Sequence, residues 1–152
     1  MFNIVMVHPE IPHNTGAAGR LALATGATLH LIEPLGFSID DKAVKRAGLD
    51  YWKEVSVKTW QSWEAFEAAL PEEARLLLLT TKVSTPHWDM KYQENDYLVF
   101  GRETKGLDES LIEKHKDTAL TIPMLTESTR SLNLATAISI VLYEGVRQLS
   151  QK

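Results

Sequence analysis

Cysteine is absent from this 152-residue chain, which excludes disulfides, thiolate zinc sites and cysteine nucleophiles. Long apolar runs are missing too: none approaches the roughly 18 residues of a membrane span. The first residues lack the basic, apolar and small-residue succession of a secretory signal. The expectation is a soluble, unexported, cytoplasmic protein with no membrane partner. A surplus of positive charge is the third absence. Lys+Arg number 16 against 20 Asp+Glu, a formal net charge of -4, so any contact with nucleic acid must use a local basic patch. The five histidines, His8, His13, His30, His87 and His115, have no convincing ligand spacing, and no metal is expected.

What is present is enough apolar material, 44% of residues, for one globular domain that buries roughly 70% of its unfolded surface. Strand and helix signals alternate without repeats. Phe2 to Val7 reads as a buried strand and Thr15 to Thr25 as a helix, with Asn14 or Thr15 as N-cap and Gly26 at its C-terminal end. Strand signals follow at Thr28 to Ile32, Val55 to Thr59, Arg75 to Thr81, Asp96 to Gly101 and Ala119 to Pro123. Helix signals lie between them at Asp40 to Ala47, Ser62 to Leu70 and Leu107 to His115, and a long last helix spans Ser131 to Leu149. The runs "RLLLLTT" and "DYLVFG" have no polar face, the pattern of strands covered on both sides in a parallel sheet. The fold class is therefore α/β, a mostly parallel sheet with helices on both faces. The last helix is apolar on more than one face between Leu134 and Leu142, which fits either burial beneath loops or a homodimer interface.

The stretch "PEIPHNTGAAGRLALATG" follows a strand and opens a helix, as a phosphate-cradling loop does. Gly16 and Gly19 at the helix start and Glu33 after the next strand favour a dinucleotide. The full G-x-G-x-x-G is missing, however, and a connection carrying Pro9 and Pro12 is too long for the tight turn that brings backbone to pyrophosphate. Close helix packing explains the two glycines as well. Three other stretches, "LLLTTK", "VFGRETKGL" and "TIPMLTESTRSLNLATA", each put polar or glycine residues directly after an apolar strand. In a parallel sheet such loops gather on one edge, where ligands bind, so one pocket can collect all three.

The segments "PEIPHNTGAAGR", "HLIEPLGF", "LDYW", "FGRETKGL" and "IPMLTESTRSLNLATAISIVLYEGVRQ" resemble the SPOUT superfamily of RNA methyltransferases. The resemblance runs through nearly the whole chain. Within the superfamily the chain is most similar to the minimal bacterial family that 2′-O-methylates the wobble cytidine or uridine of leucine tRNAs. It implies a single domain over 1–152 with a C-terminal deep trefoil knot in roughly 75–150, an obligate homodimer, and S-adenosyl-L-methionine held in the knot by those three loops.

By position, the resemblance implies cofactor contacts at Leu79, Gly101, Ile122 and Ser131, with Glu103, Gly106, Met124 and Leu132 in the same loops. Adenine can lie between aliphatic side chains while backbone groups read its edge, which suits Leu79, Ile122 and Leu132; ordinary core packing and glycine turns are the competing explanations. The implied reaction is attack of a ribose 2′-hydroxyl on the sulfonium methyl carbon, with no metal. Arg20 matches the family's motif arginine and is the first catalytic candidate. A guanidinium stays protonated, so it would bind a phosphate or stabilise a developing alkoxide. Asn133 matches a family asparagine that orients the ribose or the cofactor tail, while Arg130 and Tyr143 match positions tied to activity or tRNA binding. Each has a plainer reading: a helix arginine, a helix cap, a surface charge, a core tyrosine.

Candidate phosphate contacts are Lys42, Lys45 and Arg46, joined by Arg20, Arg102, Lys105, Arg130 and Arg147, while acids cluster in Glu64 to Glu73 and Asp108 to Glu113. The chain departs from the family pattern where "NTGN" reads "NTGA" and "RSLNLSN" reads "RSLNLAT", at Ala17, Ala135 and Thr136. Those losses of polar partners keep two alternatives open: a SPOUT methyltransferase for another RNA position, and a knotted RNA-binding module without catalysis.

Overall fold

Every strand pair among the described residues is parallel, so each connection must cross the sheet. The computed structural model describes residues 1–47 and 49–150, with side chains excluded at 49–51; the Leu49 to Tyr51 part of the "LDYW" motif therefore lies outside the described side chains. The strands are β1 (Asn3–Val7), β2 (Thr28–Ile32), β3 (Val57–Trp60), β4 (Leu76–Leu79), β5 (Tyr97–Phe100) and β6 (Ala119–Leu120), and the sheet order is β3-β2-β1-β5-β4-β6. The helices are α1 (Pro12–Thr25), α2 (Lys42–Ala47), α3 (Trp63–Ala68), α4 (Glu109–Lys114) and α5 (Leu134–Ser150).

Alternation along the strands divides the core. Ile4, Met6, Leu29, Leu31, Leu77, Leu98 and Phe100 point to one face, where Ala18 and Ala22 of α1 and Ile138, Val141 and Leu142 of α5 cover them. Val5, Val7, Leu76, Leu78 and Val99 point to the other, beneath Phe66 of α3 and Ile112 of α4. The runs without a polar face are thus the central strands, covered on both sides as a parallel sheet requires.

Several boundaries differ from expectation: β4 and β6 are shorter than the Arg75 to Thr81 and Ala119 to Pro123 runs, and α5 begins at Leu134 rather than Ser131. Helix α1 begins at Pro12, with Ile11 in the cap position and no side-chain cap, whereas Asn14 and Thr15 are buried inside the first turn. Proline suits the first helical position because its missing N–H would have no intrahelical partner there. Gly26 ends the helix at φ 73, the left-handed conformation that glycine adopts without strain. Gly19 is a packing glycine: a Cβ there would lie 2.5 Å from the Trp52 ring. With Gly16 also buried in the helix, the glycines serve helix packing, and the dinucleotide reading loses its main support.

The long connection after β4 touches two distant parts of the chain. Thr121 N donates to Thr85 O at 2.9 Å and His87 N to Thr121 O at 2.8 Å, just beyond β6. Farther along, Tyr92 N donates to Gln148 Oε1 at 2.9 Å and Gln148 Nε2 to Met90 O at 3.0 Å, on α5.

His30, buried in β2, accepts from Trp60 Nε1 at its Nδ1 (3.1 Å), so its Nε2 proton donates to Asn3 Oδ1 (2.9 Å). Burial, with a smaller push from Lys58, lowers its pKa from 6.5 to about 4. The neutral ring is thus favoured in the folded state, and the unfolded chain binds the proton first as pH falls. His30 should therefore contribute about 3 kcal/mol that is present above pH 6.5 and lost between 6.5 and 4. His87 and His115 shift in the same direction, again mainly through burial. Urea unfolding followed from pH 7.5 to 4.5 should show the midpoint falling, with His30→Phe flattening part of that slope; an unchanged slope in the variant would remove His30 as a cause.

Candidate active site

Strands β5, β4 and β6 are neighbours with the same direction, so the chain leaves all three on one edge of the sheet. The segments that follow them enclose a cavity of about 540 Å³, within the range of pockets that take nucleoside-sized ligands. Leu79, Ile122 and Leu132 supply apolar lining, and Thr80, Gly101 and Thr121 bring backbone and hydroxyl groups beside them.

The loop after β5 is built on two glycines. A Cβ on Gly101 would overlap backbone atoms of Gly106 and Leu107, and Gly106 has φ +67. Gly106 N donates to Arg102 O at 2.8 Å and closes the loop on itself. Only glycine at 101 lets the two limbs approach this closely.

A polar chain ties this loop to the start of α1 and the start of α5. The Glu103 carboxylate accepts from Glu10 N (2.8 Å), Ile11 N (2.9 Å) and Asn14 Nδ2 (3.1 Å). It thereby satisfies, from another loop, the N–H groups of the cap residue and its predecessor, and puts negative charge at a helix N-terminus. Asn14 Oδ1 accepts from Asn133 Nδ2 at 3.2 Å, and Asn133 Oδ1 accepts from Thr136 N at 3.2 Å. Asn133 is therefore the cap of α5 and a bridge to α1 at once, leaving one N–H and one oxygen lone pair for a ligand. Asn14 is the residue sequence reasoning misassigned. A short amide in a helix's first turn suggests a local cap, and nothing local reveals partners 89 and 119 residues away.

All the residues named as cofactor contacts, Leu79, Gly101, Glu103, Gly106, Ile122, Met124, Ser131 and Leu132, line this one cavity, together with Arg130 and Asn133. Arg20 and Tyr143 are not in its lining. Arg20 is exposed on α1, on an outward stripe with His13, Ala17 and Ala24. Tyr143 is 47% exposed on α5, which excludes the buried-core reading, and shares an outward stripe with Thr136, Ile140 and Arg147. Lys42, Lys45 and Arg46 lie exposed on α2, which packs against α1. Arg147 is engaged by Glu144, with N–O distances of 3.0 and 2.8 Å, and Arg102 lies 3.8 Å from Asp108. Ala17, Ala135 and Thr136 are not among the described residues that line the cavity.

A second hollow of about 550 Å³ lies beyond Arg102 and Gly106; its Glu33, Glu64, Glu67 and Asp108 make it ill-suited to an anion. Among the described residues no helix is long and apolar enough to cross a membrane, and no group of three or more histidines or acids could hold a metal ion.

Residues 1–143 match the sequence profile of the SpoU rRNA Methylase family. The chain is 51% identical over 151 residues to the tRNA (cytidine(34)-2′-O)-methyltransferase of Saccharophagus degradans, covering 98% of this chain and 96% of that protein. A solved structure described as giving structural insights into 2-OH methylation of C/U34 on tRNA superposes with a TM-score of 0.96 at 41% identity. That match covers 100% of this chain and 98% of the other. The fold is also that of the SpoU methyltransferase AviRb from Streptomyces viridochromogenes in complex with AdoMet, with a TM-score of 0.84, 24% identity, and 99% and 61% of the two chains covered.

Proposed function

The chain belongs to the SpoU rRNA methylase family, and we propose that it methylates the ribose 2′-hydroxyl of wobble cytidine or uridine 34 in tRNA, with leucine tRNAs as substrates and S-adenosyl-L-methionine as methyl donor. The observation that carries this reading is the convergence of the loops after β4, β5 and β6 on one cavity, lined by the residues that the family resemblance names.

The lining fits the cofactor. Leu79, Ile122 and Leu132 would hold an adenine between aliphatic surfaces, and the close approach of Gly101 to Gly106 keeps backbone rather than side chain next to it. S-adenosylmethionine, when bound, supplies a methyl carbon made electrophilic by its sulfonium charge. The chain's remaining tasks are alignment and charge management. Arg20 binds the substrate phosphate or stabilises the oxygen of the 2′-hydroxyl as its proton passes to a substrate phosphate or to solvent, since its guanidinium cannot itself accept that proton. Asn133, fixed through Asn14 and Thr136, orients the ribose or the cofactor tail with its remaining N–H. Lys42, Lys45, Arg46, Arg130 and Arg147 contact tRNA phosphates; the first three extend from the helix packed on α1, so a basic face fits an acidic protein.

The active unit is a homodimer working in the cytoplasm. Arg20 lies outside the cavity lining, while α1 and α5 pack side by side on one sheet face with Ile140 and Tyr143 exposed; a second copy on this face would cover those apolar groups and bring Arg20 to a neighbouring site. The C-terminal part carries the family's deep trefoil knot. Its support is the β4–β5 connection, bonded to Thr121 on one side and to Gln148 of α5 on the other. The reading without catalysis rests on Ala17 and Ala135, and neither belongs to the lining.

Methyl transfer from labelled S-adenosylmethionine to unmodified and native tRNA, followed by nucleoside mapping, tests the proposal. Label on the ribose of nucleotide 34 in leucine tRNAs is expected. Label at another position would overturn the substrate, and cofactor binding without transfer to any RNA would leave a binding module.

A further inference from the structure

Glu10 does not line the cavity, yet it is bonded to the loop after β5 through both its backbone N–H and its carboxylate. Its Oε1 accepts from Thr104 N at 3.0 Å and from Thr104 Oγ1 at 2.8 Å. Its own N–H donates to the neighbouring Glu103 carboxylate at 2.8 Å. The exchange is reciprocal: each segment gives a backbone amide to the other's glutamate.

Glu10 is itself held from behind. Gly36 N donates to Pro9 O at 2.9 Å, and a Cβ on Gly36 would lie 2.8 Å from both Glu10 Cα and Glu10 O. The backbone that bears this carboxylate is therefore packed against the loop after β2, which makes Glu10 a fixed post. Within the loop after β5, by contrast, the Gly106 to Arg102 hydrogen bond closes the base, while Glu103 and Thr104 at the tip are tied outward to the β1–α1 segment. Thr104 itself is exposed and lines the cavity.

We propose that Glu10 is a positioning residue for the cofactor loop: by clasping Thr104 it holds residues 102–106 in the binding geometry before the ligand arrives. The proposal rests on the reading of the cavity as the S-adenosylmethionine site. A preorganised loop spares the ligand the ordering of that segment on binding, so the clasp acts on affinity. The carboxyl of Glu10 is held below its ordinary range by the two Thr104 hydrogen bonds, with help from Arg102 and Lys105, so it is an ionised acceptor at neutral pH.

The test is calorimetric titration of S-adenosylhomocysteine into the dimeric full chain, wild type beside Glu10→Ala, Glu10→Gln and Thr104→Val, with thermal melts of each. Glu10→Ala should weaken binding about tenfold, as loss of charge-assisted hydrogen bonds implies. Glu10→Gln keeps an acceptor oxygen and should recover most of that loss. Thr104→Val removes only the hydroxyl bond and should weaken binding about threefold. In steady-state assays the Glu10→Ala defect should fall on the KM for the cofactor more than on turnover at saturation, a split that general destabilisation would not produce. Should wild type bind while all three variants bind within twofold of it, the clasp is overturned. Failure of wild type itself to bind would overturn the cavity reading instead. Thr104 also lines the cavity, so Glu10→Asp, which draws the carboxylate back from Thr104 without touching the lining, decides the matter if Glu10→Ala does not fold: binding should weaken, and an affinity within twofold of wild type overturns the clasp.

Discussion

Arg20→Ala should lower methyl transfer at least about a hundredfold, the loss typical of removing one preorganised charge-stabilising group, while S-adenosylhomocysteine affinity stays within about twofold of wild type. The two halves of this expectation have separate grounds. Arg20 lies outside the cavity lining, exposed on the outward stripe of α1, so truncating it leaves that lining intact. It is also six residues beyond Asn14, on the helix whose first turn is locked to the loop after β5 by Glu103. The cation is therefore displayed on a rigid element registered to the site. Arg20→Lys should recover only part of the activity, because an ammonium lacks the planar fork that grips a phosphate or an oxyanion at two points. Single-turnover assays with saturating cofactor separate chemistry from binding. Full activity in Arg20→Ala would remove this residue from the mechanism, and an equal fall in cofactor affinity would mean that it supports the pocket.

Gly101→Val should abolish cofactor binding and lower the melting temperature, whereas Gly106→Ala, in the same loop, should be mild. A Cβ at 101 runs into the backbone of Gly106 and Leu107, atoms that no rotamer change can move aside. Relief requires opening the loop, which displaces its base and pulls Glu103 and Thr104 away from Glu10 and Ile11. A Cβ at 106 meets nothing within 4 Å, and its penalty is the left-handed conformation at φ +67, about 1 kcal/mol for a residue other than glycine. Titration with S-adenosylhomocysteine should thus lose a measurable Kd for Gly101→Val and shift it less than about tenfold for Gly106→Ala. Equal defects in both would indicate that conformational freedom, not close approach, makes this loop glycine-dependent.

Much of the architecture is legible in the sequence. "RLLLLTT" and "DYLVFG" have no polar alternation, and they are the strands covered on both faces. Gly26 ends its helix in the left-handed conformation, and Thr28–Ile32 is a strand with the bounds its pattern suggests. These features depend on side-chain period and local backbone preference, which a linear sequence carries directly. Strand-end reasoning also grouped the loops that form the cavity, because parallel strands must release their C-termini on one edge. The identities of the expected cofactor residues come from the motif resemblance, and the fold brings them to one lining.

Other features required the tertiary structure. Pro12 starts α1 although Asn14 looked like its cap, since Asn14 is taken by Glu103 and Asn133 across the fold. Nothing in the sequence singles out Glu10, and only the folded chain sets it against Thr104, 94 residues away. Tyr143 falls within an apolar helix pattern yet faces outward. The division has one physical cause. Periodicity and turn chemistry are settled among residues a few positions apart, whereas a carboxylate's choice among distant amides depends on which strand ends become neighbours, and that is decided by the closing of the whole sheet. The sequence alone therefore determined the layers and the edge on which a ligand would bind; the tertiary structure decided which polar groups hold that edge in shape.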